Sequence, residues 1–180
     1  MEKYYLGFDA GTQSVKAAVY NLNMECVASD TNPTILKYPH PGWVDMDADH
    51  YLDATVKGIR NCVVQMKRKG LDPKGVRSIF GDGIILGIVG VDENCHAITP
   101  YINYLDSRTK EDAAQLAKRN LEIWARETGN PQPNCMFPAM FARWMMKNNE
   151  EFQKKGEKIH AQCAVYSGKS CGASCRRCIY

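Results

Sequence analysis

At 180 residues the chain is long enough for one domain with a real core, or one domain and a short appendage. Its 44% hydrophobic and 24% charged residues are those of an ordinary globular protein; no apolar run approaches a membrane span, and the opening Glu2-Lys3 leads into a strand rather than a secretory leader. The net charge of +3 rests on the C-terminal Lys169, Arg176 and Arg177, without which 20 basic residues face 20 acidic ones; that balance offers no nucleic-acid footprint, and a cytoplasmic protein is expected.

Residues 4 to 8 are predicted as a first strand, and a second follows over 14 to 20. Between them lie Asp9, Gly11, Thr12, Gln13 and Ser14. Glycine lets backbone N–H groups approach an anion, and Thr12 and Ser14 add hydroxyl donors, so this turn suits a polyphosphate. Asp9 is a hard oxygen ligand for Mg²⁺, direct or through water. The plain alternative is a β-hairpin whose turn uses Asp, Gly and Thr, all ordinary turn residues.

A third strand is predicted at about 25 to 31, after the turn Asn21-Leu22-Asn23. A proline-rich loop through Pro33, Pro39 and Pro41 leads to a helix capped by Asp47 or Asp49. Its apolar face reads Leu52, Val56, Ile59, Val63 and Met66; Lys67, Arg68 and Lys69 oppose the dipole in the last turn, and Gly70 stops it. Asp45, Asp47, Asp49 and Asp53, beside His40 and His50, read either as a metal cluster or as helix-start carboxylates, and the second is expected. Trp43 is expected to pack its own loop.

A strand at Val76 to Phe80, a turn Gly81-Asp82-Gly83 and an apolar run from Ile84 to Val91 follow. One helix is predicted from about Thr109 to Glu127, with Ala113, Leu116, Ala117, Ile123 and Trp124 inward. Another carries Phe137, Phe141, Trp144 and Met145, with Met140, Met145 and Met146 in the core, before a charged segment from Asn148 to Lys158. Three strands, a helix, then strands alternating with helices make an α/β chain with a mixed sheet under helical cover.

The order Asp9-x-Gly11-Thr12-x-Ser14, Pro41-Gly42-Trp43-Val44-Asp45, Gly87 to Glu93, Tyr101-Ile102-Asn103-Tyr104-Leu105-Asp106-Ser107-Arg108-Thr109, Thr128-Gly129-Asn130 and Arg143-Trp144 resembles the N-terminal domain of the FGGY carbohydrate kinases. That group includes xylulokinase, glycerol kinase, gluconokinase and ribulokinase, and the likeness runs from about Tyr4 to Ile159. It implies an actin-like, ribonuclease-H-like domain, a mixed sheet with helices on both faces. In complete enzymes a second domain of similar fold closes over nucleotide and sugar. The implied reaction moves the γ-phosphoryl group of ATP, with Mg²⁺, to a sugar or polyol hydroxyl.

By that resemblance Asp9 holds the Mg²⁺ or its waters, and Gly11, Thr12 and Gln13 face the β- and γ-phosphates. Ser14 either adds a hydroxyl or is structural. Asp82 and Gly83 stand at a strand end facing the substrate. There many members carry Gly-Gln-Met and a small residue or His; this chain has Gly83-Ile84-Ile85-Leu86, which cannot replace a polyol's hydrogen bonds. Tyr104 takes the place of a sugar-facing aromatic, often Trp, and either contacts the sugar or packs. Asp106 and Arg108 keep the family's acid–base pair, as substrate contacts or as a structural ion pair. The family's general base lies beyond the equivalent of residue 180, so no catalytic residue is assigned. A partial domain over residues 1 to 160, inactive without its C-terminal partner domain, is expected.

From Ala161 the likeness ends, and Cys163, Cys171, Cys175 and Cys178 crowd the tail. Permissible codons for Gln162 to Tyr180, re-read one base out of register, spell SARYTVASLAGLHADDAFI, which resembles what such kinases carry next. The tail is therefore read as frameshifted. Its alternative is a zinc site from the four cysteines, of which only the last two keep paired spacing. The rival readings for the body are a non-catalytic binding or regulatory module of actin-like fold and a kinase-like body carrying that zinc site.

Overall fold

The computed structural model describes residues 2–150 apart from 93 and 120, and the backbone of residues 158–161. Both readings of the tail lie outside the described residues. In chain order the elements are β1 (Tyr4–Ala10), β2 (Ser14–Asn21), β3 (Cys26–Pro33), β4 (Leu36–Lys37), β5 (Asp45–Met46), α1 (Ala48–Arg68), β6 (Val76–Gly83), β7 (Ile88–Val91), β8 (Tyr101–Ile102), α2 (Lys110–Leu116), α3 (Leu121–Thr128), α4 (Pro138–Asn148) and β9 (Lys158–Ala161). They fall into two compact units, Met1–Leu36 with Asp47–Ile84, and Lys37–Met46 with Ile85–Tyr180.

The first unit is a four-stranded sheet in the order β3-β2-β1-β6. The two hairpins are antiparallel and β6 runs parallel to β1, so the sheet is mixed, as predicted. Period-two alternation sends Tyr4, Leu6 and Ala10 of β1, and Val15, Ala17 and Val19 of β2, to the buried side. Tyr4, Leu6, Ala17, Val19 and Ala28 close a core there with Cys62 and Met66 of α1.

Helix α1 starts where the sequence put it. The Asp47 carboxylate accepts the His50 N–H at 3.1 Å, an N-cap. Gly70 ends it at φ +72°: its N–H reaches the Lys67 carbonyl, and the Leu71 N–H reaches that of Met66. The buried face, however, is rotated from the predicted one. Tyr51, Ala54, Thr55, Gly58, Cys62 and Met66 are buried, while Leu52, Val56, Ile59 and Val63 are half-buried flanks. Small residues win because the helix lies close on the sheet: a Cβ on Gly58 would sit 3.3 Å from the Asn32 amide and 3.5 Å from the Ala17 methyl.

The predicted turn at Gly81-Asp82-Gly83 is also corrected. Strand β6 runs on through Gly83, with Asp82 paired to Asp9 and Gly83 to Ala10. Pairing with β1 overrides the turn propensity of these residues, and Gly81 leaves room for the Phe8 ring that lies across it. Among the described residues β6 is an edge of this sheet, and it exposes Ile79 and Phe80 at 58% and 62%. An exposed apolar parallel strand templates association. Phe80→Lys is therefore expected to move the chain from associated species to monomer in analytical ultracentrifugation at tens of micromolar. A wild-type chain that sediments as a monomer at that concentration removes the argument.

The second unit carries the sheet β4-β5-β8-β7-β9. Every residue of β7 is buried, and Ile88 with Ile102 packs against Phe141 and Met145 of α4. Of the predicted methionine core, Met140 and Met145 are buried, but Met146 faces outward. The single helix predicted over 109 to 127 is two helices, α2 and α3; Lys118 and Arg119 bond back to Gln115 and Leu116 in tight turns that end α2. Ile123, predicted inward, is half exposed on α3.

Helix α2 is tied to α4 by Asp112, which accepts from Lys147 Nζ at 2.6 Å and Arg143 Nε at 3.3 Å. The Lys147 hydrogen bond, then the Arg143 one, holds this carboxyl below its ordinary value. A depressed folded pKa means stability that is complete above the unfolded value and lost as the pH falls through the folded one. Asp112→Asn should cost about 1 kcal/mol near neutrality and converge with wild type towards pH 3. Thermal midpoints of both proteins from pH 6 to 3 test this, and parallel curves would refute it.

Candidate functional site

The turn between β1 and β2 is built from inward carbonyls. The Ala10 carbonyl accepts the Tyr51 hydroxyl of α1 and the Ile84 N–H. Thr34, just past β3, gives its hydroxyl to the Thr12 carbonyl at 2.6 Å and its N–H to the Gln13 carbonyl at 3.0 Å. The Ser14 carbonyl accepts the Gly11 N–H at 3.1 Å, closing the turn. Gly11 thus spends its donor internally. Its value is space, since a Cβ would stand 3.0 Å from the Ser14 oxygen and 3.7 Å from the Asp9 carboxylate. The N–H groups of Thr12 and Gln13 take no backbone or side-chain partner among the described residues. Four backbone carbonyls are thus bonded within the fold while these two N–H groups are not, a polarity that suits an anion.

Asp9 is exposed at the end of β1. Register places Asp82 of β6 and Lys16 of β2 directly beside it, on the sheet face turned away from α1. The sequence carries no local signal for Lys16, an ordinary strand residue; only the pairing with Asp9 brings its charge beside that carboxylate. An exposed carboxylate in a row with a second one suits Mg²⁺, a cation that favours oxygen ligands and dehydrates reluctantly. Asp9 would hold it, with Asp82 adjacent.

In the second unit two of the motifs, residues 41 to 45 and 101 to 109, are one structure. The Gly42 carbonyl accepts the Ser107 N–H at 2.8 Å and its hydroxyl at 3.0 Å, and the Val44 N–H donates to Asp106 at 2.5 Å. Gly42 stands at φ +79° with Ser107 Oγ 2.5 Å from where a Cβ would be, so any other residue would strain the backbone and displace that hydroxyl from the Gly42 carbonyl. Arg108 lies at the centre. Its Nε and Nη2 donate to Asp106 at 3.0 and 2.8 Å, and Nη2 also donates to Asp45. Its guanidinium sits 4.1 Å from the Trp43 ring centroid and 4.9 Å from that of Trp144.

The Asp106 side chain is fully buried and that of Arg108 is 3% exposed, the geometry of an ion pair packed within this unit. Burial raises the Asp45 carboxyl above its ordinary value, against the pull of Arg108. Trp43 packs on Arg108, Trp144 and His40, beyond its own loop. Of the aspartates weighed as a metal cluster, Asp45 pairs with Arg108 and Asp47 caps α1. Tyr104 is half-buried at the turn after β8, held by the buried Asn103, whose side-chain oxygen accepts the Leu105 N–H at 3.0 Å. Asp82 and Gly83 lie in the first unit with Asp9, and Tyr104, Asp106 and Arg108 in the second.

A model of the N-terminal domain of the FGGY family of carbohydrate kinases matches residues 4–164. The chain belongs to that family. A xylulose kinase from Klebsiella pneumoniae is 31% identical over 159 residues, which cover 86% of this chain and 31% of that protein. A glycerol kinase from Geobacter sp. (strain M21) is 26% identical over 160 residues, 87% of this chain and 31% of its own length. Among solved structures, the xylulose kinase from Rhodospirillum rubrum superposes with a TM-score of 0.81 at 22% identity, over 92% of this chain and 33% of that one. The Plasmodium falciparum glycerol kinase solved with ADP gives 0.79 at 21% identity, over 93% and 34%. These likenesses carry the fold, the actin-like one expected. The chain spans about a third of the length of the FGGY kinases it matches. No helix among the described residues is long and apolar enough to cross a membrane.

Proposed function

We propose that this chain carries the phosphate-binding part of a cytoplasmic, ATP-dependent carbohydrate kinase. The observation behind this is the β1–β2 turn, where four carbonyls are bonded inward while Asp9, Lys16 and the N–H groups of Thr12 and Gln13 stand open. In the reaction a sugar or polyol hydroxyl oxygen attacks the γ-phosphorus. The bond from that phosphorus to the bridging oxygen breaks, ADP leaves, and the hydroxyl proton passes to a base. Thr12 and Gln13 donate to the β- and γ-phosphate oxygens, Lys16 offsets their charge, and Asp9 holds the magnesium. Bound there, Mg²⁺ neutralises charge that builds on the phosphoryl oxygens.

Among the described residues, the carboxylates of the two motifs are already committed. Asp9 belongs to the metal, and Asp45 and Asp106 are locked on Arg108. Phosphoryl transfer by this chain is therefore assigned to an assembly with the C-terminal domain that its relatives possess, which supplies base and closure. Incubated alone with MgATP and a panel of pentuloses and polyols, the 180-residue chain should give no sugar phosphate by ³¹P NMR. A gene repaired or extended to the relatives' full length should give one. Turnover by the chain alone, or none from the extended enzyme on any sugar, refutes the proposal. The aliphatic Ile84-Ile85-Leu86, with Ile85 exposed, favours the second reading, a nucleotide-binding module without sugar chemistry. Saturable MgADP binding by an extended enzyme that phosphorylates nothing would select it.

A further inference from the structure

Tyr51 and Thr34 lie 41 and 22 residues from the carbonyls they bond, on α1 and past the end of β3. Neither belongs to any sequence motif of the turn. We infer that they are positioning residues of the phosphate turn, holding its backbone carbonyls away from the ligand so that the backbone presents N–H groups to it. The inference rests on the reading of that turn as a polyphosphate site. It goes beyond that reading by naming what imposes the polarity.

A free carbonyl beside a phosphate oxygen repels it, and a flexible turn would present carbonyls as readily as N–H groups. Thr34 prevents this twice, with its hydroxyl on Thr12 and its N–H on Gln13. A valine there would keep shape and the N–H while losing the hydroxyl bond. Tyr51 is buried, and its hydroxyl reaches the carbonyl immediately after Asp9. Together with the Ile84 N–H it pins the end of β1, and with it the direction in which the Asp9 carboxylate leaves the sheet. A buried tyrosine needs some partner for its hydroxyl, but that need alone would not select a carbonyl in the turn.

The test is magnesium pyrophosphate binding by calorimetry to the 180-residue chain and to Thr34→Val, Thr34→Ser and Tyr51→Phe. The valine and phenylalanine variants should bind about tenfold more weakly, with denaturation midpoints close to wild type, and the serine variant should recover to within about twofold. Wild-type affinity in both hydroxyl-less variants overturns the inference, as does a loss that tracks lowered stability in every variant. Should wild type bind no pyrophosphate, the polyphosphate reading fails, and the ligand-free amide spectrum decides the positioning claim. Displaced Gly11 to Ser14 resonances in Thr34→Val and Tyr51→Phe uphold it; unmoved ones overturn it.

Discussion

Arg108→Met is expected to destabilise the second unit by about 3–5 kcal/mol, the cost of breaking a buried ion pair and leaving charge uncompensated. Asp106 would keep the Val44 and Arg108 N–H donors, but Asp45 would lose its cation in a site where burial already raises its pKa. Removing Arg108 raises it further. An acid with a raised folded pKa gives up stability as the pH climbs from the unfolded value through the folded one, so the deficit should grow between pH 4 and pH 7. Trp43, Trp124 and Trp144, the only tryptophans of the chain, all lie in the second unit, so indole fluorescence during urea unfolding reports it selectively. Arg108→Lys keeps the charge but loses the fork and the stacking, and should fall between the two. A methionine variant within about 1 kcal/mol of wild type, or a deficit independent of pH, would show that the cluster does not hold this unit together.

The contrast between this cluster and the phosphate turn shows what the sequence could reveal. The turn was legible because its signals are local: alternation on both sides, then Asp, Gly and Thr within six residues. The cap at Asp47 and the stop at Gly70 were legible for the same reason. The Arg108 cluster joins residues 63 apart, and no periodicity links Asp45 to Arg108 or Trp43 to Trp144. As motifs the two segments were visible; as one structure they were not. The sheet overruled local preference at Asp82, where β1 supplies the partner that a turn would forgo. It did so again at α1, where Gly58 and Ala54 face the strands because only small residues permit that approach. Lys16, Thr34 and Tyr51 carry no local signal for a related reason. Their side chains are ordinary in a strand, a loop and a helix, and they gain meaning only from what register and packing set beside them.

Asp9→Asn separates a metal-dependent phosphate site from a bare anion turn. The amide keeps the size of the carboxylate and can hydrogen-bond, but it loses the negative charge that recommends Asp9 to a divalent cation. Pyrophosphate binding by wild type should strengthen as magnesium is added. In the variant that gain should vanish, while weak metal-free binding persists or improves, since the remaining N–H groups and Lys16 no longer share the turn with a carboxylate. In an enzyme extended to full length the same substitution should lower kcat by about two to three orders of magnitude, the scale seen when one preorganised electrostatic contact to a transition state is lost. Lys16→Met should act differently, weakening anion binding with and without magnesium alike. Asp82, on the next strand, supplies the control. If Asp82→Asn removes the magnesium dependence and Asp9→Asn does not, the cation belongs to β6 rather than β1, and the role given to Asp9 is wrong. If both single changes are needed to abolish it, the two strand ends share the ion, which their side-by-side register permits.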